Sequence, residues 1–94
     1  MKKTLTNKEI SIKDLRQIPG VGPSLALDLW NIGIQSVSQL KNKDPEELYI
    51  LSNQYAGCIQ DRCVLYVFRC AVYYANTELS DLESEKLKWW KWKD

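Results

Sequence analysis

Ninety-four residues can bury one hydrophobic core but not two, and a 45% hydrophobic composition excludes a disordered chain. The formal net charge is only +1, which leaves little overall field for a polyanion. That charge is divided: residues 1–43 carry seven Lys/Arg against three acids, a net +4, while residues 44–94 carry six against nine, a net −3. No histidine is present, so the usual acid/base group near neutral pH is missing. Three cysteines cannot pair evenly, and no apolar run follows Met1-Lys2-Lys3 to make a leader; a reducing, cytoplasmic setting is therefore expected. The longest apolar stretch, Cys63 to Ala75, is broken by Arg69 and too short for a bilayer, so no membrane partner is expected.

Residues 1–10 are polar with Leu5 as the main exception, and predict a flexible or marginally helical arm ahead of one domain over 11–94. Ser11-Ile12-Lys13-Asp14 reads as a helix N-cap with an acid three residues on. The short helix it opens would turn Ile12, Leu15 and Ile18 to the core. Pro19 cannot continue that helix, since its ring clashes with the preceding turn and it has no N–H to donate. Gly20 and Gly22 accept positive φ, Val21 between them can dip into the core, and Pro23 suits the first position of a second helix running to about Trp30. The amides of Gly22, Ser24 and Leu25 would then be free donors at the positive end of a helix dipole, an arrangement that favours an anion such as phosphate.

Asn31-Ile32-Gly33 reads as a helix stop with Gly33 left-handed. Ser36-Val37-Ser38-Gln39 opens a third short helix with Val37 and Leu40 inward. Asp44-Pro45-Glu46-Glu47 is the clearest helix start in the chain, and that helix ends near Gly57. From Gln60 to Asn76 the β-branched and aromatic content would suit a strand, but length and helical neighbours predict a long helix, apolar on most faces. Ser80-Asp81-Leu82-Glu83 predicts a last, Trp-rich helix ending in Trp89-Trp90-Lys91-Trp92-Lys93-Asp94. Leu48 to Leu65 could form a second helix-loop-helix without a Gly-x-Gly turn, supporting the first and binding nothing itself.

The run Ile18-Pro19-Gly20-Val21-Gly22-Pro23-Ser24 resembles a helix-hairpin-helix DNA-binding motif. With Gly33-Ile34-Gln35-Ser36-Val37-Ser38-Gln39-Leu40 it is similar to the hairpin domains of X-family DNA polymerases. That resemblance implies that the amides of Gly20, Gly22, Ser24 and Leu25 hold a DNA phosphate without reading bases. Related hairpins also hold a monovalent cation on backbone carbonyls, which would fall on Arg16, Ile18 and Val21. From about Leu15 to Asp94 the chain resembles small bacterial helix-hairpin-helix proteins labelled pathogenicity-locus or mitomycin-resistance-like. The resemblance implies an all-α, SAM-like helix-hairpin-helix domain of about five or six short helices around one long buried helix, in a setting of DNA repair or stress tolerance.

The second helix of the hairpin carries no early Lys or Arg, so Lys13, Arg16, Lys41 and Lys43 must supply the positive field. A single hairpin with few cations implies weak, non-specific DNA binding, with a homodimer or a protein partner needed for useful affinity. An adaptor that keeps the fold and binds protein through its Trp-rich end or acidic half is the alternative. Catalysis is not expected, because no nucleophile–base pair is evident and no second domain is present to form a base pocket. Cys58, Cys63 and Cys70 lack metal-ligand spacing, with Cys63 and Cys70 roughly 10 Å apart along one helix, and read as core residues. Trp89, Trp90 and Trp92 among lysines could stack on bases or close the core; the spacing of Leu87 and Trp90 favours packing and leaves Trp92 the most exposed. Arg69, within an apolar helix, needs a partner if buried.

Overall fold

The apolar faces of the chain meet on its longest helix. In the computed structural model, which describes residues 6–94, the α-helices are α1 (Asn7–Leu15), α2 (Pro23–Asn31), α3 (Pro45–Ala56) and α4 (Arg62–Asn76). Short 3-10 turns cover Val37–Leu40, Leu79–Asp81, Ser84–Leu87 and Trp89–Trp92, and no strand occurs among the described residues. The fold is all-α. Leu65, Phe68, Ala71, Val72 and Ala75 of α4 are buried at helical spacing, which settles the strand-like composition of this stretch in favour of a helix. Around them pack Leu15, Ile18, Val21, Ala26, Leu29, Leu40 and Leu48 from the other elements.

The helix ends follow capping chemistry. Asp44 and Asp61 accept the amides of Glu46 and Cys63, at 2.9 and 2.8 Å, and so start α3 and α4. Gly33 and Gly57 take positive φ where α2 and α3 stop. The start of α1 differs from expectation. Thr6 and Glu9 form the capping box, so the helix begins at Asn7 and Ser11 is a buried mid-helix residue. Of the expected arm, residues 1–5 lie outside the described residues. Asp14 is not part of a cap; its carboxylate accepts the Val37 amide and the Gln17 side chain, both at 2.8 Å, and ties α1 to the 3-10 turn.

The expected C-terminal helix does not form, and three 3-10 turns run over α4 in its place. The reason lies in where the backbone groups are used. The Lys86 carbonyl, which an α-helix would give to the Trp90 amide, accepts the Trp92 indole N–H at 2.8 Å. Tyr73 Oη accepts the Glu83 amide at 2.9 Å, and Arg69 donates to the Trp92 carbonyl at 2.7 Å. Bonds from Arg69 and Tyr73 of α4, with short-range backbone bonds such as Lys91 N–H to the Lys88 carbonyl at 2.9 Å, thus take the place of a continuous α-helical ladder. Arg69 also meets Glu46 at 2.7 Å and Asp94 at 2.8 Å, so the cation within the apolar helix has two carboxylate partners.

Candidate nucleic-acid interface

Between α1 and α2 the chain makes the tight turn that Pro19 and the two glycines require. Val21 is buried, and its amide closes the turn on the Ile18 carbonyl at 3.0 Å. The two glycines then behave differently. Gly20 has φ +89°, and a β-carbon there would stand 2.9 Å from Cδ1 of Trp89. The fold itself therefore demands glycine at this position. Gly22 has φ −88° and ψ −173°, extended backbone open to any residue, and nothing lies within 4 Å of its β position.

Gly22 is the N-cap of α2 and supplies no side chain to the helix. Thr6, Asp44 and Asp61 cap the other three α-helices, so α2 alone among them starts uncapped. Within the described chain the amides of Gly20, Gly22, Ser24 and Leu25 donate to no acceptor. Gly20, Gly22 and Ser24 are exposed and Leu25 is half-buried. These are the donors that an anion at the helix start would take.

The surroundings are less favourable to an anion than the sequence implies. Lys13, Arg16, Lys41 and Lys43 are all exposed, and none forms an ion pair among the described residues. Yet none of them lines the cleft of about 380 Å³ beside the hairpin. Lys41 borders a cavity with Asp14 and Gln17, and Lys43 borders another with Asp44 and Glu47. Within the hairpin cleft Gly20, Ser24 and Leu25 meet Trp89 and the one carboxylate, Asp28. Partial burial pushes the Asp28 carboxyl above its ordinary value. In the sequence Asp28 is one of three acids in the basic half, and only the fold brings it to the cleft beside Gly20, Ser24 and Leu25.

The loop Gly57–Asp61 between α3 and α4 is built in the opposite way. The Gln60 amide donates to Asn53 Oδ1 at 3.0 Å, the Gln60 side chain reaches Ser52 at 2.8 Å, and Tyr49 donates to the Gln60 carbonyl. Here Asn53 and Asp61 side chains take the Gln60 and Cys63 amides, whereas among the described residues no side chain takes an amide at the turn between α1 and α2. Two further expectations need correcting. Cys70 is buried, but Cys63 is half-buried and Cys58 exposed, so only one of the three is a core residue. Among the tryptophans Trp90 is the exposed one, at 49%; Trp92 folds back to Tyr73, and Trp89 lies on the hairpin.

A family model described as Cdd1, Pathogenicity locus, matches residues 8–94. The chain belongs to the pathogenicity-locus family. No curated protein and no solved structure matches it. The family match runs from the first turn of α1 through α2, α3 and α4 to the tryptophan turns. No helix among the described residues of this family member is long and apolar enough to cross a membrane.

Proposed function

We propose that this protein is a DNA-binding module that grips backbone phosphate, without sequence preference, through a helix-hairpin-helix unit formed by α1, its turn and α2 in a SAM-like fold. The observation that carries the reading is the uncapped start of α2, where the Gly22, Ser24 and Leu25 amides have no partner in the chain. Lys13, Arg16, Lys41 and Lys43 contribute a diffuse positive field and make no contact in the hairpin cleft. The Arg16 and Val21 carbonyls accept no hydrogen bond within the described residues and the Ile18 carbonyl accepts one, so the three retain lone pairs for a monovalent cation. With one hairpin and Asp28 nearby, affinity for duplex is weak, on the order of 10⁻⁴–10⁻⁶ M at physiological salt. The module has no catalytic role, and DNA repair or stress tolerance in the cytoplasm is its setting. Titration of unrelated duplexes at several salt concentrations tests this. Equal affinities that fall with salt are expected, and no binding at low salt would overturn the reading.

A second reading rests on α3. Ile50, Leu51 and Tyr55 are exposed on this helix, and Ile59 beyond it is 87% exposed. Such a group of apolar side chains in the acidic half favours an adaptor that meets a protein, including a second copy of itself. Sedimentation at rising concentration with Tyr55→Ala and Ile59→Ser as comparators tests it. A monomer at all concentrations with no partner dependence on these residues would refute it.

A further inference from the structure

Away from the hairpin, a cleft of about 650 Å³ opens between α4 and the last tryptophan turn. Three of its lining residues are cationic, Arg69, Lys91 and Lys93, and no carboxylate lines it. Arg69 is already neutralised by Glu46 and Asp94, and Lys91 lies 3.8 Å from Glu85, which Lys88 shares at 3.0 Å. Lys93 forms no ion pair among the described residues. The uncompensated charge of the cleft is therefore carried by Lys93 and in part by Lys91, both exposed at its rim.

The wall of the cleft is aromatic. Tyr73 and Trp92 lie with ring centroids 5.5 Å apart, tilted by 40°. The polar ends of both are used inside the protein: Trp92 Nε1 donates to the Lys86 carbonyl, and Tyr73 Oη accepts the Glu83 amide. What they offer the cleft is ring surface, that of Tyr73 shared with Lys86, whose Nζ stands 5.6 Å from its ring centroid. Asn76 lines it as well. Its Oδ1 accepts the Asn42 amide at 3.0 Å, which leaves its Nδ2 hydrogens to donate.

A π surface, a side-chain amide and two rim ammonium groups in one cleft match the parts of a nucleotide: a flat base with acceptor edges and an attached phosphate. We propose that this cleft binds one nucleotide, its base against Trp92 and Tyr73, its edge toward Asn76 and its phosphate on Lys91 and Lys93. The nucleotide comes from single-stranded DNA or is free. This site stands on observations separate from those at the hairpin, and it does not require the hairpin to bind.

The test is a titration of the whole protein with a short oligothymidylate, thymidine monophosphate and a duplex, followed by tryptophan fluorescence and anisotropy. Lys91→Glu/Lys93→Glu changes only exposed side chains and should keep the helical circular dichroism spectrum. It should weaken oligothymidylate binding at least tenfold, in line with the loss of charge-assisted contacts. Trp92→Phe, which keeps a ring, should retain most of the binding. Gly22→Asp should weaken duplex binding and leave oligothymidylate binding within about twofold, which separates failure of the hairpin from failure of the cleft. Tighter binding of the oligonucleotide than of the mononucleotide assigns the site to a strand, and equal binding assigns it to a free nucleotide. Unchanged affinity in the folded double reversal, or no fluorescence response in the wild type, would overturn the proposal.

Discussion

Replacing Gly22 by Asp separates what stabilises the turn between α1 and α2 from the phosphate contact proposed for it. The backbone at Gly22 is extended and the space around its β position is empty, so the new side chain meets no obstacle. Its carboxylate would accept the amide of Ser24 or Leu25, as Asp44 accepts Glu46 and Asp61 accepts Cys63 at the other helix starts. An Asp cap exceeds a Gly cap by a few tenths of a kcal/mol, and losing glycine's freedom in the unfolded chain adds about 0.4–1 kcal/mol. The sum, about 0.6–1.4 kcal/mol, corresponds to a melting temperature raised by roughly 3–10 °C in a domain of this size. Binding moves in the other direction. The carboxylate occupies the amides proposed for phosphate and adds a like charge beside it. Charged hydrogen bonds contribute about 1.5–3 kcal/mol, so duplex affinity should fall about ten- to a hundredfold. A thermal melt and a duplex titration on one preparation decide the matter. Gain of stability with loss of binding cannot arise from damage to the fold. A variant that melts higher and binds like wild type would refute the hairpin as the grip, and one that melts lower would refute the capping geometry.

Gly20→Ala should destabilise by about 1–3 kcal/mol, because its left-handed φ and the 2.9 Å approach to Trp89 both oppose a β-carbon; the melt should show it, with a shift in indole emission. Asp28→Asn should tighten duplex binding several-fold by removing the carboxylate in the hairpin cleft. Wild-type affinity should rise as pH falls toward the raised Asp28 value, and the variant should lack that component; a flat difference between the two across pH would contradict the placement of this acid. The buried Cys70 thiol is pushed up to about 11 from an ordinary 9.0, so the native state holds its proton longer than the unfolded chain. Its contribution is complete below pH 9 and is lost as pH rises through about 11, and alkylation near neutral pH should label exposed Cys58 well before Cys70.

The helices legible from sequence are those whose boundaries rest on local chemistry. Asp44-Pro45 and Gly57 bracket α3, and Pro23 and Gly33 bracket α2, because cap and stop residues act within one turn of themselves. The strand-like α4 was legible only through its length and its neighbours. Two local patterns misled for one shared reason. Ser11 with Asp14, and Ser80 with Glu83, have the spacing of a helix start, yet distant groups claim the same atoms. Val37 takes the Asp14 carboxylate, and Tyr73 takes the Glu83 amide. Contacts across 23 and 10 residues leave no mark in a local window. The candidate site divides in the same way. Its free amides follow from Gly-Val-Gly-Pro, whereas Asp28 in the cleft, Trp89 on Gly20 and the distance of Lys41 and Lys43 from the hairpin cleft follow only from packing.

That division bears on which glycine carries the functional argument. Gly20 has a sufficient explanation inside the fold: positive φ and an indole where its β-carbon would stand. Gly22 has none, since its backbone suits any residue and its surroundings are open. A Ser or Asp there would satisfy an orphan amide and stabilise α2 by roughly a few tenths of a kcal/mol, as side-chain caps do for α1, α3 and α4. The chain thus leaves one helix start bare where its own stability favours covering it. A bare, exposed row of amides is what a phosphate needs for close approach, and a side chain at Gly22 would stand in its way. The energetic case for the hairpin therefore rests on Gly22, and on the cap that the fold does not have there.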